Sequence, residues 1–302
     1  MEQVVAVVGP TATGKSDLAV ELALRLDAEV VGADAMQLYR GMDIGTAKLS
    51  PEQRRGVPHH LLDVLDVTQE ASLAAYQKAA RAAVDDIRSR ERVAIVAGGS
   101  GLYVRAVLDA LDIPPTDPEV RQELERELER SGAPALHERL SIVDPVAAES
   151  ILASNGRRIV RALEVVRLTG RPFSAVLPTL EYAAPTVQLG LTAPRDDLDR
   201  RTAARVVRMW DDGLVDEVRA LADRGLREGR TASRAVGYAQ VLAALDGETT
   251  MDQARERTAQ ATRRLIRRQE SWFRRDARIL WLDAGANDLV DRALAALSAS
   301  GG

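Results

Sequence analysis

The stretch from Gly9 to Ser16 has the residue types and spacing of a loop that binds phosphate groups. It fits the pattern G-x-x-x-x-G-K-[ST] at every fixed position and reads Gly9, Pro10, Thr11, Ala12, Thr13, Gly14, Lys15 and Ser16. The backbone N–H groups of such a P-loop surround phosphate oxygens, the lysine adds positive charge, and the hydroxyl after it can ligate Mg²⁺. The sequence therefore predicts a diphosphate or triphosphate site, with Ser16 as a ligand for Mg²⁺.

A second candidate for chemistry is the carboxylate of Asp34, which follows a short apolar run and precedes Gln37. Ligands of open α/β sheets bind at the carboxyl ends of the strands, so we expect Asp34 to face the ligand of the P-loop. On position alone, a role as a turn or cap residue is the alternative. The apolar run at residues 93–97 ends instead in Gly98-Gly99-Ser100-Gly101, without the acid that nucleotide hydrolases and kinases use to organise Mg²⁺.

These residues must be positioned by strands and helices, which the apolar pattern predicts. The first strand is a continuous β-branched run from Val4 to Val8, typical of a strand buried on both faces. Leu18, Leu22 and Leu26 mark one face of the helix that follows the P-loop. Four more strands are expected within residues 29–32, 93–97, 187–191 and 278–282. Strands that alternate with helices predict an α/β fold, a P-loop doubly wound parallel sheet.

Residues 113–185 lack a strand pattern and are predicted to form helices. Asp117-Pro118 and Asp144-Pro145 each combine a capping residue with a proline suited to the first helical turn. A third helix is expected from about residue 157 to a stop at Gly170. We therefore expect an inserted all-helical domain over residues 113–185, within a catalytic core formed by residues 1–112 and 186–302 with its C-terminal helices.

The composition excludes several other kinds of chemistry. None of the 302 residues is cysteine, which excludes disulfides, thiolate metal sites and cysteine catalysis. The sequence shows no apolar run of membrane-spanning length and no signal peptide, so we expect a cytoplasmic protein that does not bind a membrane. We also expect a monomer. The formal net charge is −4, yet nine arginines against three acids lie between Arg255 and Arg278.

Six stretches of the chain resemble the tRNA dimethylallyltransferase family, also called tRNA isopentenyltransferases. The longest and most specific is DAMQLYRGMDIGTAK, residues 34–48. The others are PHHLLD (58–63), GGSGLY (98–103), RRIVRALEV (157–165), RAVGY (234–238) and TRRLIRRQ (262–269). Together they follow the family over nearly the whole chain. One departure is Ala35, where the family usually has a serine, so any hydrogen bond from that serine is lost.

The resemblance implies a prenyltransferase. It implies transfer of the dimethylallyl group of dimethylallyl diphosphate to N6 of the adenosine 3′-adjacent to the anticodon in tRNA, giving N6-isopentenyladenosine and diphosphate. The positions that match the catalytic machinery of the family are Asp34 as general base, Arg234 as catalytic arginine, Lys15, Thr11 and Ser100. Mg²⁺, Lys15 and Arg234 are expected to offset the charge on the leaving diphosphate.

The same resemblance implies contacts with the anticodon stem-loop of tRNA. The expected set is Asp34, Ala35, Met36, Gln37, Ser100, Arg121, Arg157, Arg158 and Arg161. The first four match contacts to the target base, and the arginines match contacts to the stem-loop. An arginine-rich stretch, residues 263–275, is either a further contact to the RNA backbone or a solvated helix face.

Three alternatives remain open from the residues. A P-loop kinase of a small metabolite shares the fold and the phosphate loop, but the insertion is longer than a simple kinase lid. An RNA-binding module with a relic P-loop is disfavoured by the intact Lys15, Ser16 and Asp34. An adenylate isopentenyltransferase uses a free nucleotide, whereas the arginines at residues 157–161 favour tRNA.

Overall fold

The computed structural model of the protein describes residues 3–176 and 180–300. The chain divides into two compact units. The core unit comprises residues 1–108 and 182–302, and the insertion unit comprises residues 109–181. The expected helical insertion, residues 113–185, covers nearly the same segment as the insertion unit.

The core unit is built on a six-stranded sheet in which all pairings are parallel. The strands are β1 Val4–Val8, β2 Ala28–Gly32, β3 His59–His60, β4 Val93–Gly98, β5 Thr186–Thr192 and β6 Ile279–Asp283, and their order across the sheet is β3-β2-β4-β1-β5-β6. The predicted α/β fold with a P-loop and a parallel sheet is therefore confirmed. Strand β3 was not predicted, because two residues are too short to show a period.

Eleven α-helices lie within the described residues. They are α1 Lys15–Leu26, α2 Leu73–Ser89, α3 Gly101–Leu108, α4 Pro118–Val143, α5 Pro145–Ser150, α6 Gly156–Thr169, α7 Arg195–Asp211, α8 Leu214–Ala222, α9 Tyr238–Leu245, α10 Met251–Phe273 and α11 Leu289–Ala299. Helices α4, α5 and α6 belong to the insertion unit and the other eight to the core unit.

Strand β1 is the centre of the core unit. Its five residues are at most 3% exposed, because β4 and β5 flank it and helices cover the sheet. Val5, Val7 and Leu189 share one apolar cluster with α1 and α11, while α2 and α3 pack against β4. A strand buried in this way has a continuous apolar sequence, which is why β1 was predictable from five residues.

The carboxyl ends of the central strands approach neighbouring backbone closely. Gly98 ends β4, and a Cβ on this glycine would lie 2.1 Å from the carbonyl oxygen of Ala33, just beyond β2. Gly9 follows β1 with φ +131°, and a Cβ there would lie 2.6 Å from the carbonyl oxygen of Leu191. Only glycine allows both contacts. They bring the loops after β1, β2 and β4 to one edge of the sheet.

The insertion unit has its own apolar core, to which α4, α5 and α6 contribute Leu124, Ala147 and Ile159. Gly132, with φ +78°, interrupts the helical conformation of α4. Asp117 caps α4 by accepting from the backbone of Glu119, and Asp144 caps α5, as their Asp-Pro pairs predicted.

Candidate active site

A cavity of about 1000 Å³ lies at the carboxyl edge of the sheet in the core unit. The P-loop lines one side of it through Lys15 and Ser16, and the loop after β2 lines another through Asp34 and Gln37. A third side is formed by arginines of α7. The sheet topology thus brings the two predicted chemical groups, the P-loop and Asp34, into one cavity.

The P-loop has the backbone conformation of an anion-binding nest. Three of its residues have positive φ, namely Gly9 (+131°), Ala12 (+67°) and Gly14 (+82°). The ammonium of Lys15 donates to the carbonyl oxygen of Pro10 at 2.5 Å. Burial lowers the pKa of Lys15 to about 8, a net shift that the charge of Asp34 opposes and the charge of Arg205 favours. An anion in the loop would counter both of these unfavourable effects.

Thr11 is held by two residues that sequence reasoning did not single out for chemistry. Its Oγ1 accepts from a guanidinium N–H of Arg205 at 2.8 Å, and its backbone N–H donates to Oε1 of Gln269 at 2.9 Å. The amide nitrogen of Gln269 in turn donates to the carbonyl oxygen of Gly99 at 3.0 Å. Gln269 therefore ties the P-loop to the loop after β4.

Helix α7 supplies three of the cations that line the cavity. Arg201, Arg205 and Arg208 line it and recur at positions i, i+4 and i+7, which is one face of a helix. Burial lowers the pKa of Arg205, and Asp34 opposes this effect. Within the described residues, Nε of Arg205 is buried and has no hydrogen-bond partner. A buried donor without a partner is costly, so this atom is suited to receive an oxygen of a ligand.

Arg234, which was expected to supply the cation beside the P-loop, does not lie with it in the described cavity. Arg234 ends a short 3₁₀ turn, Ala232–Arg234, where its side chain is exposed, and it is not among the described residues that line the cavity. Arg205 occupies the position beside Thr11 instead. The spacing of the α7 arginines was a usable signal, but arginines on a charged helix usually form a solvated face.

The loop after β2 presents Asp34 and Gln37 to the cavity. Oδ1 of Asp34 accepts from the backbone N–H of Met36 at 2.9 Å, so Asp34 both shapes a turn and lines the cavity. Nε2 of Gln37 donates to the carbonyl oxygen of Thr46 at 3.2 Å. Because that partner is an acceptor, it sets which way the amide of Gln37 is turned.

Ser100 has a supporting place in this arrangement. Its hydroxyl accepts from the backbone N–H of Ala35 at 3.3 Å, and its own N–H donates to the carbonyl oxygen of Ala33 at 3.4 Å. Ser100 is not among the described residues that line the cavity, whereas its neighbour Gly99 is. The hydroxyl thus holds the loop that carries Asp34.

The donor groups of the cavity suit a metal ion that is bound mainly by a ligand. No group of three or more His, Cys, Asp or Glu within residues 3–176 and 180–300 could hold a metal. Ser16 lines the cavity next to Asp17. Mg²⁺ commonly takes few protein oxygens and fills its remaining positions with phosphate oxygens and water. The hydroxyl of Ser16, beside the diphosphate site, fits this preference of Mg²⁺ for few protein ligands.

The four arginines predicted to contact RNA from the insertion unit fall into two pairs. Arg157 and Arg158 lie in the first turn of α6 and are exposed. Arg121 and Arg161 both donate to Oε2 of Glu164, at 2.6 Å and 2.8 Å, and the side chain of Glu164 is fully buried. Their positive charge is therefore partly neutralised by an internal carboxylate.

Two observations bear on other surfaces. The arginine-rich stretch lies on α10 and the residues just after it, where Arg264, Arg267, Arg268, Arg274 and Arg275 are exposed. None of the helices in the described parts of the chain combines the length and apolar character needed to cross a bilayer.

Comparisons of the whole chain with known proteins point to one family. A family model described as IPP transferase matches residues 37–276. The chain is 63% identical to a tRNA dimethylallyltransferase of Thermobifida fusca over 300 residues, which cover 98% of this chain and 94% of the relative. A tRNA dimethylallyltransferase of Streptomyces avermitilis is also 63% identical, over 96% of this chain and 93% of its own.

Two solved structures are similar over almost the whole chain. One is the tRNA isopentenylpyrophosphate transferase of Bacillus halodurans, with 39% identity, a TM-score of 0.72, and coverage of 100% of this chain and 98% of its own. The other is a eukaryotic dimethylallyltransferase acting on tRNA, with 25% identity, a TM-score of 0.85, and coverage of 98% and 78%.

The geometry of the P-loop predicts how binding of inorganic diphosphate depends on pH. Because the pKa of Lys15 is lowered to about 8, its side chain is positively charged below that pH and loses its proton and its charge as the pH rises through it. We therefore expect the affinity for diphosphate to fall above about pH 8. Isothermal titration calorimetry on the parent protein and on Lys15→Met checks this, since the ionisation of diphosphate itself affects both proteins and cancels in the ratio of dissociation constants. A ratio that stays constant from about pH 7 to 9.5 would contradict a role for this charge.

Proposed function

This chain belongs to the IPP transferase family, and from that premise we propose that it transfers the dimethylallyl group of dimethylallyl diphosphate to the N6 amine of the adenosine 3′-adjacent to the anticodon in tRNA. The observation that carries the proposal is the shared cavity of Asp34, Lys15 and Arg205. A carboxylate that can act as the base thus shares the cavity with the cations of the P-loop and α7, as displacement of a diphosphate by an amine requires.

In the proposed step, N6 of adenosine forms a bond with C1 of the dimethylallyl group while the bond from C1 to the diphosphate oxygen breaks. The bonding electrons leave with the diphosphate, which the P-loop N–H groups, Lys15 and Arg205 hold as its charge grows. The amine of adenine is a weak nucleophile because its lone pair is delocalised into the ring. Asp34 therefore accepts the proton that N6 loses.

Metal binding fits this arrangement. We propose that Mg²⁺ is held by the hydroxyl of Ser16 together with diphosphate oxygens, and that it supplies further compensation for the negative charge of the leaving group. The P-loop backbone, from Gly9 to Ser16, keeps the diphosphate oriented so that C1 points toward the loop after β2.

Recognition of the target base is assigned to the loop after β2. Asp34 and Gln37 line the cavity, Ala35 is held there through its N–H, and Met36 lies in the same turn. Such a cavity receives a single base that has been turned out of a loop, as single-stranded RNA readers and base-modifying enzymes do. We also propose that the enzyme works as a monomer, since one chain supplies the catalytic carboxylate, the diphosphate loop and the cations. We place it in the cytoplasm.

Contacts to the stem-loop are assigned chiefly to exposed arginines. In the insertion unit these are Arg157 and Arg158 at the first turn of α6. Arg121 and Arg161 keep further N–H donors, but their carboxylate partner Glu164 makes them organisers of the surface as much as phosphate contacts. The exposed arginines of α10 are a further contact to the RNA backbone in this proposal.

The decisive test is to incubate the protein with labelled dimethylallyl diphosphate, Mg²⁺ and bulk tRNA, and to measure label in RNA. We expect Asp34→Asn to lower the transfer rate by about 10²- to 10⁴-fold, because the amide cannot accept the proton, while tRNA binding stays within a few-fold. Asp212→Asn is the matched control, since this acid lines the same cavity. Absence of label with the parent protein would refute the function, and near-parent transfer by Asp34→Asn would remove Asp34 as the base.

A second prediction decides between two arginines. We expect Arg205→Gln to slow transfer by about 10²- to 10³-fold, since it removes a preorganised donor beside the leaving group. Arg234→Gln should stay within about threefold, because this side chain is exposed outside the cavity. Single-turnover rates at saturating tRNA measure both. The opposite ranking would restore the catalytic role first expected for Arg234.

A third prediction concerns the stem-loop. We expect the double variant Arg157→Gln, Arg158→Gln to bind tRNA more weakly and with a log–log salt slope smaller by about 0.7 to 0.9 for each phosphate that the variant no longer neutralises. Filter binding over a range of salt concentrations gives the slope. Arg25→Gln is the control, because Arg25 is an exposed arginine at the end of α1, paired with Asp291. A slope equal to that of the parent would mean that residues 157 and 158 do not reach phosphate.

A further inference from the structure

One carboxylate outside the cavity accepts hydrogen bonds from the backbone of a cavity wall. Oε2 of Glu217, on α8, accepts from the backbone N–H groups of Asp43 at 3.1 Å and Ile44 at 2.8 Å. Oε1 accepts from the N–H of Gly45 at 3.3 Å and from the hydroxyl of Tyr238 at 2.5 Å. Four donors occupy about the full accepting capacity of a carboxylate. The described residues that line the cavity include Asp43 and Ile44 but not Glu217.

The segment that Glu217 holds needs outside partners. Residues 43–47 lie outside the helices and strands, with turns at residues 44–47, so their N–H groups are not satisfied by a regular ladder. Three consecutive N–H groups that converge on one anion form a nest. In this segment the nest is filled by a side chain of the protein itself, which fixes the backbone of the wall.

Tyr238 completes the arrangement. Its side chain is fully buried, and burial together with Glu217 raises its pKa, so the hydroxyl stays protonated and donates. A Cβ at Gly45 would lie 2.4 Å from the ring of Tyr238, so the tyrosine occupies the space that a larger residue at position 45 would need. Gly45, Glu217 and Tyr238 therefore fit one another as a set.

The held segment leads directly to a contact with Gln37, which lines the cavity. Thr46 follows Gly45, and its carbonyl oxygen accepts from Nε2 of Gln37 at 3.2 Å. Its hydroxyl donates to the carbonyl oxygen of Met42 at 2.6 Å, which links Thr46 to the start of the segment. With Nε2 committed to Thr46, Gln37 turns its other amide atom, the acceptor Oε1, away from that partner.

We propose that Glu217 is a positioning residue, which holds the wall formed by Asp43, Ile44 and Thr46 and, through Thr46, sets the orientation of the Gln37 amide toward the RNA base. The proposal rests on the proposed function, because it concerns the part of the cavity assigned to the base. It distinguishes two halves of the site. The half that binds diphosphate depends on the P-loop and α7, and the half that receives the RNA base depends on Glu217.

The test compares kinetic constants for the two substrates of the full-length protein. In Glu217→Gln, the side-chain amide has one accepting oxygen, and its NH₂ group faces backbone N–H donors. We expect KM for tRNA to rise about tenfold and kcat to fall, giving a loss of about 10²-fold in kcat/KM for tRNA, as a small misplacement at a reacting centre produces. KM for dimethylallyl diphosphate should stay within about twofold.

Two variants serve as controls and as a second line of evidence. Asp216→Asn should match the parent, since Asp216 is the exposed neighbour of Glu217 and pairs with Arg219 at the surface. Glu217→Asp keeps the carboxylate and should recover part of the loss in kcat/KM for tRNA. Tyr238→Phe removes one of the four donors and keeps the ring, so we expect KM for tRNA to rise about threefold. This second variant tests the proposal even if Glu217→Gln fails to fold.

Several outcomes overturn the proposal. Parent-like constants for Glu217→Gln and for Tyr238→Phe would show that the wall needs no such support. Equal losses for both substrates, together with a lower melting temperature, would show a general structural role. Absence of label in RNA with the parent protein would refute the proposed function and this proposal with it, whereas a parent-like Glu217→Gln on an active background would refute this proposal alone.

Discussion

The arrangement of the site depends on backbone contacts at the carboxyl edge of the sheet that are too close for any side chain. Gly98 at the end of β4 lies directly against Ala33, and the backbone N–H of Ala33 donates to the carbonyl oxygen of Ala97 at 2.8 Å. The loop with Asp34 is thereby fixed to β4. Because β4 separates β2 from β1, Asp34 and the P-loop leave the sheet two strand spacings apart, or about 10 Å. This spacing follows from the topology of the sheet, and the cavity is lined by both loops.

Charge explains why the cavity is suited to an anion. Burial lowers the pKa of both Lys15 and Arg205, and the counter-charge that acts on both is that of Asp34. Such a pair of desolvated cations is unfavourable until an anionic ligand arrives, and the unpartnered Nε of Arg205 indicates the same need within the described structure. A diphosphate satisfies these groups in the ground state. It satisfies them better as the C–O bond breaks and its charge increases, and this difference is what accelerates a reaction.

The sequence predicted what local pattern encodes and missed what tertiary packing creates. The P-loop, strand β1 and the place of Asp34 follow from contiguous residues, so each was predictable. Arg205 was missed because α7 is rich in charge of both signs, and only the fold shows which face meets the P-loop. Arg121 and Arg161 were predicted as RNA contacts because they match stem-loop contacts of the family, but ion pairing with the buried Glu164 has no signature in spacing. The nest around Glu217 joins residues more than 170 positions apart, which no window of sequence connects.

The position of the acid argues for cleavage of a C–O bond rather than a P–O bond. A P-loop kinase places an acid where it can organise Mg²⁺ beside the phosphate that is transferred. In this protein the end of β4 is occupied by Gly98 and Gly99, and the carbonyl of Gly99 is bound by Gln269, which also holds Thr11 of the P-loop. A Cβ at Gly98 would lie 2.1 Å from the carbonyl oxygen of Ala33, and a Cβ at Gly99 would lie 2.4 Å from the amide of Gln269. An acid at Gly98 would therefore clash with backbone, and one at Gly99 would displace the side chain that holds the P-loop. The candidate base Asp34, one of several aspartates that line the cavity, follows β2, the strand next to β4, where it is placed to receive a proton from an incoming amine.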